Sequence, residues 1–137
     1  MRNRIIVQKY GGTSIGDVEK LKLIAKKISE TKEKGFYPVV VVSAMGKTTD
    51  ELVSMSKEVT FLNKPPDLRE KDILLSTGEL VSSTLLAISI KSLDKKVISL
   101  SGSQAGIITD DIHGSARISD INIARIMTEI KNDNIII

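Results

Sequence analysis

Residues 5–14, Ile5-Ile6-Val7-Gln8-Lys9-Tyr10-Gly11-Gly12-Thr13-Ser14, decide how the rest of the chain is read. The apolar run at their start predicts a strand. The glycine pair then lets the backbone turn sharply and bring bare N–H groups against an anion. Lys9 adds a full positive charge at the same spot, and phosphate is the natural guest. Ser14 and Asp17 have the spacing of a capping box, which would start a helix whose unpaired N-terminal amides point at the same place. On local grounds alone, a plain strand-to-helix turn beside a surface lysine explains the segment equally well. The pattern is neither G-x-G-x-x-G nor the G-x-x-x-x-G-K-[ST] loop, so neither of those mechanisms transfers to it.

Outward from this turn the chain alternates helix and strand signals. Val18, Leu21, Ile24, Ala25 and Ile28 recur at helical spacing and Gly35 stands where a C-terminal cap belongs, so a first helix is expected over 17–34. Pro38 introduces Val39-Val40-Val41-Val42, a β-branched run without alternation, which suits a strand of a parallel sheet covered on both faces. Thr48 and Glu51 form a second capping box, opening a helix through Leu52, Val53, Met55 and Val59. Asn63-Lys64-Pro65-Pro66 reads as a loop. From Asp67 a helical segment carries Leu68 and Leu75, is expected to pause at Ser76-Thr77-Gly78-Glu79 with capping spacing again, and resumes through Leu80, Val81, Thr84, Leu85 and Ile88. Val97-Ile98-Ser99-Leu100 predicts the third strand, followed by a Gly/Ser loop over 101–106, an extended piece at Ile107-Ile108-Thr109 and a turn from Asp110 to Gly114. Ser119 or Asp120 is expected to cap a last helix holding Ile123, Met127 and Ile130. Ile135-Ile136-Ile137 begins a strand and, with no polar exit behind it, reads as a cut within a domain.

Such alternation predicts an α/β fold, an open, mainly parallel sheet with flanking helices and right-handed crossovers. Ligands of these sheets sit beyond the carboxyl ends of the strands. The segments 9–14, 43–49 and 101–106 occupy that position, are all rich in Gly, Ser and Thr, and are expected to converge on one crevice.

Composition removes several other classes. The 137 residues fit one ordinary domain, a size that buries roughly two-thirds of its unfolded surface on folding. The absence of cysteine excludes disulfides and thiolate metal sites and suits a reducing compartment, so a cytoplasmic location is expected. No apolar run approaches the ~20 residues that a membrane helix needs. The Met1-Arg2-Asn3-Arg4 start leads into an apolar stretch too short for a signal peptide. No membrane partner is expected. The net charge of +3 comes largely from Lys20, Lys22, Lys26, Lys27, Lys32 and Lys34, interleaved with Glu19, Glu30 and Glu33. That mixture is the solvated face of a helix, and Tyr10, Phe36, Tyr37 and Phe61 offer few platforms for stacking bases, so nucleic acid is not expected as a partner.

Four segments in order, KYGGTS at 9–14, VVVVSAMGKTTDEL at 39–52, LLSTGELVSSTLLA at 74–87 and SLSGSQAGIITDDIHGSARI at 99–118, resemble the aspartate kinases of the amino acid kinase family. The likeness spans essentially the whole chain. It implies transfer of the ATP γ-phosphoryl group to the side-chain carboxylate of L-aspartate, the step that opens lysine, threonine and methionine synthesis. By the same resemblance Lys9 is the catalytic residue that neutralises charge on the moving phosphoryl group, and the amides of Gly11 and Gly12 hold its oxygens. The resemblance also places Tyr10 and Ser43 beside the nucleotide phosphates, has Thr49 contact aspartate, and makes Glu79 the carboxylate that recognises the substrate ammonium group. ATP with nucleotide-borne Mg2+ is the implied cofactor, no protein metal site is expected, and a homo-oligomer is.

Read from spacing alone, Glu79 is a capping carboxylate reaching back to Ser76, and both jobs are compatible. Met45-Gly46-Lys47-Thr48 imitates the end of a P-loop, but Val41 stands where the first glycine is required, so Lys47 reads as a surface or supporting lysine. His113, among Asp110, Asp111 and Arg117, reads as part of a solvated turn. No general base is needed, because an aspartate side chain is already ionised near neutral pH. The family's kinase domain continues beyond the segments found here, with a GRGGSD segment and most of the nucleotide pocket, and regulatory ACT domains usually follow it. The chain thus resembles the N-terminal part of that domain and is expected to be inactive alone. Two other readings stay open: a relative that phosphorylates another acid, and a non-catalytic, self-associating fragment.

Overall fold

The computed structural model describes residues 4–137. The beginning of the Met1-Arg2-Asn3-Arg4 stretch lies outside them. In chain order the elements are β1 (Arg4–Tyr10), α1 (Val18–Glu33), β2 (Phe36–Val42), α2 (Thr48–Glu58), α3 (Leu68–Lys91), β3 (Val97–Ile98), β4 (Ile107–Thr109), β5 (Ile118–Ile121), α4 (Ala124–Lys131) and β6 (Ile135–Ile136). Four strands form one sheet in the order β1-β2-β6-β3, every pair parallel. β4 and β5 pair antiparallel as a separate two-stranded ribbon. The α/β class and parallel sheet expected from the valine run are borne out, but its cover on both faces is not, since Val41 is 48% exposed.

The core lies where α1 and α3 meet the sheet. Leu21, Ile24, Ala25 and Ile28 of α1 pack with Leu86, Ala87 and Ile90 of α3, with Val40, Val97 and Ile135 of the sheet and with Ile137 just after β6. Removing those apolar surfaces from water is the main force closing the domain. Pro38 lies inside β2, paired with Ile6 on one side, while β6 meets β2 only at Val39. A residue without an N–H is tolerated there because the second ladder has not yet begun.

Several expected boundaries move. Ser14 does not cap α1; Asp17 does, accepting from Lys20 N–H at 2.8 Å, while Ser14 N–H is spent on Gly11 O. The helix amides therefore do not open directly onto the glycine turn. Thr48 is the first helical residue of α2 rather than its cap, and Lys47, at the cap position, makes no side-chain cap. The expected pause at 76–79 is absent, and α3 runs unbroken for 24 residues. Its hydroxyls bond back into the helix, Ser76 Oγ to Ile73 O and Thr77 Oγ1 to Leu74 O, so they do not compete with it for a new start.

The third strand is shorter than expected, ending at Ile98. Ser119 and Asp120 belong to β5, not to a helix cap: Ser119 Oγ donates across the ribbon to Ile108 O, and α4 begins at Ala124. The ribbon closes at Gly106, φ +88°, where a Cβ would lie 1.9 Å from Asn122 O, so only glycine fits. α3 also amends the membrane expectation. It is long and apolar enough by length and composition to cross a bilayer. Counting unbroken apolar runs missed this because serines and threonines are spaced through it. In this fold it packs on α1, α2, β2 and β3.

Candidate functional site

β1 and β2 lie parallel in register, Lys9 beside Val41 and Tyr10 beside Val42, so the segments after them leave from the same end of the sheet. Strand alternation then decides what each residue meets. Gln8 donates from Nε2 to Thr31 Oγ1 at 3.2 Å. Tyr10 packs against the core, where burial pushes its phenol above the ordinary value. Lys9, between them, faces the other way and is exposed. Among the described residues its ammonium has no ion-pair partner.

The turn after β1 is tied down through its carbonyls. Ser14 and Ile15 N–H donate to Gly11 O at 2.9 and 3.3 Å, Ser43 N–H to Tyr10 O at 3.1 Å, and Gly46 N–H to Gly12 O at 3.2 Å. Ile15, 1% exposed, plugs the turn into the core. Among the described residues no protein acceptor takes the N–H of Gly11, Gly12 or Thr13. Nothing lies within 4 Å of where a Cβ on Gly11 would be. Backbone donors left over on an open turn beside a lysine make a seat for an anion.

Glu79 reaches this region from α3, its Oε1 accepting Ala44 N–H at 3.3 Å. It does not cap Ser76, as spacing alone suggested. The second carboxylate oxygen appears in no hydrogen bond among the described residues. Beside it lies a groove of about 400 Å³ lined by Val39 to Val42, by Ser76, Glu79, Leu80 and Ser83 of α3, and by Leu100, Ser101, Gly102 and Ala105. The structure thus brings together the turn after β1, the loop after β2 and Glu79, and Ser101, Gly102 and Ala105 of the 101–106 loop line the groove beside Glu79. Lys9 and Thr49 join these less directly. Lys9 is linked through its register with Val41, which lines the groove. Thr49 stands exposed in the first turn of α2, with no described contact to Lys9 or Glu79.

The remaining candidates lie apart. Lys47 is exposed. His113 Nδ1 lies 3.5 Å from Asp72 Oδ2, and Gly114 N–H donates to that same oxygen at 2.8 Å, which ties the tip of the β4–β5 ribbon to the start of α3. Among the described residues no three His, Asp or Glu side chains gather in a way that could hold a metal ion. Two residues that sequence reasoning passed over are central: Ala44, 4% exposed, and Gly78, whose Cβ would fall 2.9 Å from Ala44 Cβ. The signal for them was the spacing of Gly78, Ser82 and Ser83 on α3, small residues at positions that the structure buries.

Comparison with known proteins agrees with the fold. The aspartokinase of Geobacillus stearothermophilus is 52% identical over 122 residues, which is 89% of this chain and 29% of that enzyme. The chain therefore spans less than a third of that relative's length. The crystal structure of aspartate kinase from Synechocystis superposes with TM-score 0.77 at 39% identity, covering 96% of this chain and 21% of that one. Escherichia coli aspartokinase III in complex with aspartate and ADP gives the same TM-score at 17% identity, covering 98% of this chain and 40% of that one, a likeness of fold. The amino acid kinase family model matches residues 4–137, and the chain belongs to that family.

Proposed function

We propose that this chain is the N-terminal portion of an aspartate kinase, which transfers the γ-phosphoryl group of ATP to the side-chain carboxylate of L-aspartate. The observation that carries the reading is the meeting of an anion-seating turn with a carboxylate: Ala44, in the loop packed on the 11–14 turn, gives its N–H to Glu79. One side of that junction suits phosphate and the other suits an ammonium group, the two ends of the proposed transfer. The name and 52% identity of the Geobacillus relative lend further support.

In this reading an oxygen of the aspartate carboxylate forms a bond to the γ-phosphorus while the bond from phosphorus to the β,γ-bridging oxygen breaks, and ADP leaves with that electron pair. No proton has to move, since the attacking carboxylate is ionised. The work left to the protein is placement and charge neutralisation. Lys9 supplies the positive charge; the free amides of Gly11 and Gly12 hold phosphoryl oxygens; Tyr10 and Ser43 fix the phosphate-binding segments through the Ser43 N–H to Tyr10 O bond. Glu79 and Thr49 take the amino acid. Magnesium belongs to the nucleotide, where it neutralises phosphate charge. The product, 4-phospho-L-aspartate, would enter lysine, threonine and methionine synthesis in the cytoplasm, and the complete protein would be a homo-oligomer.

Trapping the acyl phosphate with hydroxylamine tests the reading. The complete protein containing this chain should yield aspartyl hydroxamate from ATP and aspartate, with little product from glutamate. Product from glutamate and none from aspartate would move the assignment to another acid kinase of the family.

A further inference from the structure

We infer that Ala44 and Gly78 are positioning residues, whose direct contact sets how closely Glu79 approaches the loop after β2. The inference rests on the proposed role of Glu79 for its functional consequence, though not for its structural one. Ala44 is held from two sides. A Cβ on Gly12 would lie 2.9 Å from Ala44 O, and a Cβ on Gly78 would lie 2.9 Å from Ala44 Cβ. Ala44 is thus wedged between the turn after β1 and the middle of α3, and its own N–H is taken by Glu79, one residue beyond Gly78. Any widening of the gap between residues 44 and 78 carries Glu79 away from that N–H, and with it the carboxylate from the phosphate-seating turn.

The two sides differ in a way that makes the idea decidable. At Gly78 the only obstacle closer than van der Waals contact is a methyl group; the next neighbours, Thr48 Cγ2 and Leu52 Cδ1, are at 3.5 and 3.6 Å. At Gly12 the obstacle is a carbonyl oxygen of the backbone. Deleting the Ala44 methyl therefore makes room for a methyl at position 78 but none at position 12. Helix propensity alone predicts the reverse of a defect at position 78, because alanine is a better helix former than glycine.

Amide hydrogen exchange at residue 44, followed by NMR on the 137-residue chain, reads the Glu79 contact without any assay of activity. Gly78→Ala should speed that exchange by about tenfold, the loss expected for a hydrogen bond to a charged acceptor. Ala44→Gly added to Gly78→Ala should return it to the rate of Ala44→Gly alone, whereas Ala44→Gly added to Gly12→Ala should rescue nothing. If Gly78→Ala fails to fold, recovery of folding by the added Ala44→Gly serves as the same readout. In the complete protein, Gly78→Ala should raise KM for aspartate more than it lowers kcat, with the double variant restored. Unchanged exchange in Gly78→Ala, lack of rescue by Ala44→Gly, or an unmoved KM in an enzyme that phosphorylates aspartate would each overturn the inference. A wild-type protein that does not phosphorylate aspartate would instead overturn the proposed function, and the exchange experiment would still decide the contact.

Discussion

At the scale of single residues, Lys9 and Glu79 are presented by different means. Lys9 is aimed by strand alternation alone: Tyr10 and Gln8 are held inward, so the lysine has only the other face to occupy. Glu79 is aimed by a helix and fixed by one hydrogen bond to Ala44. The lysine and the glycine pair could be picked out in the sequence because charge and backbone freedom are local properties, whereas Glu79 read from spacing as a cap for Ser76 and was singled out only by the family resemblance. Ala44 could not be picked out, since a small residue in contact leaves no signature until its neighbour is known, and Gly78 was marked only by its spacing with Ser82 and Ser83. Capping residues failed for a related reason, as Ser14, Asp17 and Thr48 all offer a suitable oxygen and only the geometry of the turn chooses among them. Asp17 is the one that accepts Lys20 N–H. Asp17→Ala should therefore cost about 1 kcal/mol in urea unfolding, and Ser14→Ala far less.

α3 carries most of the burden at the scale of elements. It supplies Leu86 and Ile90, both 0% exposed, to the core, and it brings Glu79 and Gly78 to the loop after β2. Because one rigid element does both, core packing and site geometry are linked through its axis. Leu86→Ala should destabilise the chain by about 3 kcal/mol, the usual cost of a large cavity in a packed interior, with urea unfolding as the measurement. Element type was mostly legible, because a period of 3.6 and a β-branched run differ in any context. Continuity was not: Ser76-Thr77-Gly78 looks like punctuation, yet its hydroxyls turn back to Ile73 and Leu74 and its glycine marks a contact rather than a break. β5 was lost because its pairing partner, β4, lies across a loop, and Ser119 and Asp120 resemble cap residues until that pairing is known.

For the whole molecule, the parallel order β1-β2-β6-β3 puts the ends of β1 and β2 side by side. Neighbouring strands therefore bring two loops together, and the groove carries the site on to the 101–105 segment. The meeting of the first two loops was legible from the alternation of elements, whereas the strand order was not. The chain spans 29% of its Geobacillus relative, and by itself it should show no aspartate-dependent release of ADP in a coupled assay. The most direct test of the account is Lys9→Ala in the complete protein, assayed for acyl phosphate and for unfolding by urea. Turnover should fall by at least about a hundredfold, the scale of losing one preorganised charge at a transition state, while the unfolding midpoint stays that of the wild type. Unchanged turnover in a folded Lys9→Ala variant would contradict it.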